Sequence, residues 1–236
     1  MESPSDQLEL YWFLGGQPSR AVKTLLDMGQ IEHVEKITDF GKKEHREEWF
    51  DKMTEGHLTL PYLKVGDDFG ISESASQLRY IATAYAEKLP AGIYPQELRK
   101  RIIVDKWLDW SLSYFRPTVH LYIDTTFAKD DADEKYDEKR TAAHKTCEEA
   151  VTKLDDYLKR AGTDFLTGDQ VTIADILIFH EATSELMCDA PCVKEDAEKR
   201  PHLTAWRKRM IAIPAIGAIN EKFTAILPGV ITWLTS

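Results

Sequence analysis

The sequence predicts a small α/β domain followed by an all-α helical bundle, and three observations carry that prediction. Over the first eighty-odd residues short apolar runs alternate with amphipathic ones in the order β-α-β-α-β-β-α. The stretch EKLPAGIYPQ (Glu87–Gln96) then places two prolines and a glycine within a short linker. Beyond it no strand pattern recurs, and apolar residues step at helical intervals to the end of the chain. The expected division is residues 1–88 and 97–236.

LELYWFL (Leu8–Leu14) reads as a buried strand, too short and too aromatic for a helix. SRAVKTLLDMG is a helix with Pro18 in its first turn and Gly29 at its end. Ile31–Ile37 is predicted as a second strand, and KKEHREEWFDKM as a polar helix or helical turn. Leu58–Ser72 reads as two strands around Gly66–Asp67, and Glu73–Lys88 as a helix with Leu78, Ile81, Ala82 and Tyr85 on one face. A β-α-β unit, a hairpin and a closing helix make a small mixed sheet flanked by helices. In the second half, Ala143, Cys147, Val151, Leu154 and Leu158 mark a long helix. Thr172 with Asp175 forms a capping-box pattern, with Val171 and Ile176 as its staple. PHLTAWRKRMIAI and PAIGAINEKFTAIL are helices entered through proline.

A chain of 236 residues with 43% hydrophobic and 30% charged residues has the composition of a soluble globular protein. Its net charge of −10 excludes a basic nucleic-acid surface and disfavours an anionic membrane partner. No apolar run reaches the roughly 20 residues of a membrane span. The acidic MESPSDQLEL start carries neither a signal nor a transit pattern, so a cytoplasmic protein is expected. Cys147, Cys188 and Cys192 form no disulfide framework, and no zinc-like spacing surrounds the CDAPC pair. HEATS at His180 offers Ser184 where a zinc-protease helix needs histidine, so no metal is expected.

Two places converge on anion binding. YWFLGGQPSRAV (Tyr11–Val22) runs from a strand through a glycine turn into a helix N-terminus, where free N–H groups favour an anion. SES at Ser72–Ser74 opens another helix, so its serine hydroxyl and N–H groups suit a carboxylate while Glu73 suits an ammonium. Helix capping alone is the competing explanation. Leu60–Pro61 enters a strand, where the proline bond is either cis, presenting backbone to a ligand, or an ordinary trans bond.

LELYWFLGGQPSRAV, FLTGDQVTIADILI and RPHLTAWRKRM, in this order around the linker, resemble the cytosolic glutathione transferases, most closely the theta class. The resemblance covers about Leu8 to Leu227 and implies a thioredoxin-like N-terminal domain that binds glutathione and an all-helical C-terminal domain. It implies that Glu73 and Ser74 hold the γ-glutamyl group and that Leu60, before a cis Pro61, exchanges backbone bonds with the cysteinyl part. Gln17 and His45 would stand near the glycyl end; His45 equally fits a solvated surface residue. The acceptor pocket would lie between the domains, with Leu14, Trp107, Trp110, Tyr114 and Arg116 as candidates, although most of those aromatics also fit a core. Arg116 is the group for a ligand carboxylate. The helix carrying Asp105, Trp107 and Trp110 is the one the family uses for two-fold dimers, so a homodimer is expected.

One departure bears on function. The activating serine of the theta class falls on Gly16, which has no side chain to favour the thiolate. Three substitutes remain open: the Tyr11 phenol, the Ser19 hydroxyl, and the backbone N–H groups of the turn. The expected activity is conjugation of glutathione thiolate to small hydrophobic electrophiles, with or without reduction of hydroperoxides. The alternative is a non-catalytic binding or scaffold protein on the same fold.

Overall fold

The computed structural model describes residues 6–127, 135–182 and 196–234. Strand β1 (Leu8–Trp12) buries Leu8, Leu10 and Trp12 on one face, as strand alternation requires. It runs parallel to β2 (Val34–Ile37) and antiparallel to β3 (Tyr62–Val65), which pairs with β4 (Phe69–Ile71), giving the order β2-β1-β3-β4. Helix α1 (Gln17–Met28) crosses from β1 to β2, packing Ala21, Val22, Leu25 and Leu26 into the core. The expected second strand is shorter than Ile31–Ile37: Ile31 is buried ahead of β2, whose own residues are mostly exposed at the sheet edge. The polar stretch expected as one helix divides into a 3-10 turn at Glu44–Arg46 and α2 (Glu48–Thr54). Gly66, at φ 61°, makes the β3–β4 turn in a conformation that glycine adopts without steric cost. Helix α3 (Ser74–Ala84) closes the domain and gives way to a 3-10 turn at Ala86–Lys88.

Beyond the linker come helices alone among the described residues. Helix α4 (Leu98–Trp110) continues through a π-helical segment, Ser111–Phe115, into α5 (Arg116–Phe127). Such segments widen a helix by a residue and re-aim its side chains. Helix α6 (Tyr136–Ala161) buries Ala143, Cys147, Val151, Leu154 and Leu158 and ends at Gly162 in the left-handed region. Helix α7 (Ile173–Ala182) is buried along its whole length. The acid's half of its capping box forms: the Thr172 amide and hydroxyl both donate to Asp175, at 3.0 and 2.8 Å. Burial raises the Asp175 pKa, while donors from Leu166, Trp206 and Thr172 pull it back. After a one-turn helix α8 (Asp196–Lys199) follow α9 (Pro201–Ala212) and α10 (Pro214–Leu234), the latter running on through Pro228. Cys188 and Cys192 lie outside the described residues.

The two domains join through polar groups as well as apolar ones. Arg20 of α1 is fully buried, its guanidinium 3.7 Å from the Phe223 ring centre of α10 and donating to the His180 carbonyl of α7 at 3.3 Å. Thr24 meets His180 Nε2 at 2.9 Å. Burial lowers the Arg20 pKa to about 9 against the opposing pull of Glu181, and pushes His180 well below its ordinary value.

Candidate active site

A cleft of about 140 Å³ opens where α1, the β3 entry, α3 and the π-helical segment meet, lined by Pro18, Thr59, Leu60, Pro61, Glu73, Ser74, Leu112 and Arg116. The Leu60–Pro61 bond is cis. Glu73 stands at the N-cap of α3 with φ 66°, an uncommon backbone for a residue with a Cβ, and no side chain caps the helix. Capping therefore does not account for Ser72–Ser74: the first N–H groups of α3 face the cleft side uncapped, beside the buried Ser74. A residue outside the sequence expectations ties the two walls together. Gln77, fully buried one turn along α3, donates from Nε2 to the carbonyls of Pro61 and Ile71, both at 2.8 Å. Its place three positions after Ser74 was the available signal.

A larger groove of about 810 Å³ separates the linker from Thr167–Gln170 and Thr172. Beside it the Thr172 amide and hydroxyl are both engaged by Asp175.

Arg116 reaches the cleft from the start of α5, and its Nη1 donates to Glu181 Oε1 at 2.5 Å. Glu181 is fully buried. Burial raises its pKa, and Arg116 and then Arg20 draw it back toward the carboxylate. The acid thus fixes one edge of the guanidinium and leaves the rest at the cleft wall. Leu112, missed in the sequence because helical periodicity does not anticipate a π-helical residue, lines the cleft instead of Tyr114. The Tyr114 hydroxyl accepts from Lys153 at 2.9 Å, which turns it to α6. In the bundle, Trp107 meets Tyr157 edge-to-face at 4.5 Å and Trp110 stacks on Phe115 at 5.1 Å. These contacts place the three aromatics in the packing of the bundle. Leu14 is half-buried against the core, and its carbonyl accepts from Arg20 at 3.0 Å.

At the glycine turn, Gly16 is the N-cap of α1 without any side-chain cap. Arg20 Nη1 also holds the Gly15 carbonyl at 3.0 Å, clamping the turn from beneath. The Phe13 ring lies across the turn: a Cβ on Gly15 would sit 2.2 Å from Phe13 Cζ, and one on Gly16 3.3 Å from Phe13 Cδ1. The glycines make room for that ring. It stacks on Phe40 at 5.1 Å, which stacks on His45 at 4.3 Å. His45 is buried, with its pKa lowered by burial and then by Arg46, so the solvated-surface reading does not hold. Gln17 opens α1 and is buried.

Tyr11 is turned away from thiol chemistry. Its hydroxyl donates to Glu9 at 3.0 Å, and its ring packs among Trp49, Phe50 and Tyr62. Burial and then Glu9 push its pKa up to about 12. Ser19 is fully buried, and its hydroxyl has no hydrogen-bond partner among the described residues. Among the described residues no three His, Cys, Asp or Glu side chains come together as metal ligands.

A small mixed sheet joined to a helical bundle, with an uncapped helix end facing a cis-proline between them, is the architecture of a two-domain transferase. Residues 118–222 match the family described as "Glutathione S-transferase, C-terminal domain". Human glutathione S-transferase theta-2B is 32% identical over 225 residues, covering 93% of this chain and 87% of its own. Human theta-1 is 31% identical over 228 residues, covering 93% and 89%. A human theta-class structure holding the glutathione conjugate of 1-menaphthyl sulfate superposes with TM-score 0.81 at 27% identity, covering 96% of this chain and 89% of that one. Human theta-2 with glutathione and an unknown ligand gives TM-score 0.80 at 27% identity, covering 95% and 89%. The chain belongs to the glutathione S-transferase family and is a theta-like glutathione transferase.

Proposed function

We propose that the protein binds glutathione in the cleft between its domains and transfers the thiolate to a small electrophile. The observation that carries this reading is the convergence of Leu60, cis Pro61, Glu73 and Ser74 on one cleft whose helix end is uncapped. The γ-glutamyl carboxylate suits the N–H groups of α3 and the Ser74 hydroxyl, and its ammonium suits Glu73. The Leu60 backbone is left to pair with the cysteinyl part. Gln17 and His45 are assigned to the glycyl end.

In the reaction the thiol loses its proton to solvent, the sulfur attacks carbon, and the leaving group departs with the bonding electrons. Rate comes from a stabilised thiolate and from holding the two substrates together. The glutathione conjugate of 1-menaphthyl sulfate held by a theta-class relative supports electrophiles with an anionic leaving group. Arg116, fixed on one edge by Glu181, is the side chain here that would meet it. Hydroperoxide reduction by the same thiolate belongs to this proposal. So does a cytoplasmic location.

Calorimetry with reduced glutathione tests the binding reading. The wild type should bind, and Glu73→Ala and Ser74→Ala should each bind about 10- to 100-fold more weakly, the size of a lost charge-assisted hydrogen bond. Equal affinity in all three proteins would remove the assignment. The second reading, a non-catalytic member of the family, draws on Gly16 and the Phe13 ring lying over it. It predicts binding without conjugation of an aryl halide or an aralkyl sulfate.

A homodimer is also part of the proposal. Leu98 and Ile102 lie one turn apart on α4 and are 70% and 54% exposed. Beside them Arg79 pairs with Asp105 at 2.7 Å. Sedimentation should give a dimer that Ile102→Asp converts to monomer.

A further inference from the structure

We propose that Ser19 is the catalytic hydroxyl, donating to the glutathione sulfur in place of the side chain that Gly16 lacks. This rests on the glutathione reading of the cleft and names the group that activates the thiol there. Helix α1 is twelve residues long, and its N-terminal N–H groups favour an anion. A helix end alone selects no ligand. The second observation is the Ser19 side chain. It is 0% exposed, and its Oγ meets no hydrogen-bond partner among the described residues. A buried hydroxyl left unpaired is disfavoured unless something else pairs with it. A Cβ on Gly16 would lie 3.1 Å from that oxygen, nearer than any other atom outside its chain neighbours. The hydroxyl therefore stands one turn into the helix yet beside the space a residue-16 side chain would fill.

The atom next nearest to that space is Phe13 Cδ1, at 3.3 Å. Phe13 is half-buried, and its ring and the Ser19 hydroxyl border the same space beside Gly16. A sulfur lying over the glycine turn would meet the hydroxyl through that space with the ring turned aside, while Arg20 holds the turn itself in place through the Leu14 and Gly15 carbonyls. Tyr11, committed to Glu9, does not compete for the role. In the step, the thiol proton leaves to solvent and the Ser19 O–H shares its hydrogen with the resulting thiolate. No electrons change hands.

The test titrates the thiolate absorbance of glutathione held by saturating protein, with calorimetry alongside. Wild type should bind glutathione and lower its thiol pKa. Ser19→Ala should bind equally well but give back about one to two pH units of that shift, the size of a charge-assisted hydrogen bond. Its conjugation rate should fall about tenfold or more at pH 6.5 and recover toward wild type above the free-thiol pKa, which a purely structural loss would not do. Ser19→Cys, close in volume but a weak donor, gives the same reading if the alanine variant does not fold. Phe13→Ala should keep the shift, and adding Ser19→Ala to it should remove it. Binding with the same shifted pKa in Ser19→Ala overturns the inference and leaves the thiolate to backbone N–H groups. Binding by wild type with an unshifted pKa also overturns it, with the cleft assignment intact. No binding at all sinks the glutathione reading, and this inference with it.

Discussion

The Arg116 guanidinium and the Glu181 carboxylate meet at 2.5 Å at the wall of the interdomain cleft, the arginine half open to the cleft and the acid fully buried. The pair links α5 to α7 and sets the direction in which Arg116 presents its remaining edge. Removing the arginine leaves a buried carboxylate without its nearest counter-charge. Arg116→Ala should cost about 2 to 3 kcal/mol near neutral pH, below the full cost of breaking a buried pair because Arg116 is partly solvated. Glu181 has its folded pKa raised, so it favours folding when protonated and loses that contribution as pH rises through the folded pKa. Without Arg116 the folded pKa rises further. The destabilisation read by thermal melts should therefore shrink between pH 8 and pH 5; a deficit independent of pH would contradict the pairing.

The Phe13 ring and the missing Cβ of Gly15 compete for one space. Gly15→Ala would place a Cβ 2.2 Å from Phe13 Cζ, so the ring must leave its stack on Phe40. The variant should lose about 1 to 3 kcal/mol, the usual cost of overpacking. In a Phe13→Ala background the same change should cost little. Denaturant melts of the four proteins form a double-mutant cycle, and additive losses would show that the ring does not occupy this space.

His180 makes the domain junction sensitive to acid. Its folded pKa lies well below the ordinary value through burial and then Arg20, so the unfolded chain binds its proton first as pH falls. The stability it contributes is present above the unfolded pKa near 6.5 and is lost progressively below it. His45, His120 and His144 are shifted the same way, each mainly by burial. Melting temperature should fall from pH 7.5 to pH 5.5, and His180→Gln should flatten part of that slope. An unchanged slope would place the sensitivity in the other histidines.

The fold was legible because its signals are local. Strand alternation at Leu8–Trp12, the linker and the Thr172–Asp175 cap each follow from a few adjacent residues. The meeting of Leu60 and Pro61 with Glu73 and Ser74 at one cleft was legible for the same reason: a helix start after a strand-entry proline is a short-range pattern. The bundle side of the cleft was less so. Leu112 lines the cleft from a π-helical segment that shifts the helix face, and helical periodicity carries no sign of it. Arg20, Glu181 and Gln77 escaped notice because their partners lie far along the chain or on backbone carbonyls. His45 was ambiguous until a three-ring stack buried it, which no spacing rule predicts.

The central claim is that this cleft still makes a thiolate from glutathione although residue 16 is glycine. Its most direct measurement is the pH titration of glutathione thiolate absorbance in the presence of saturating wild-type protein. A thiol pKa about one to two units below the free value near 8.5 is the predicted result. Bound glutathione that titrates at its free value would contradict the claim and leave a transferase fold that holds its substrate without activating it.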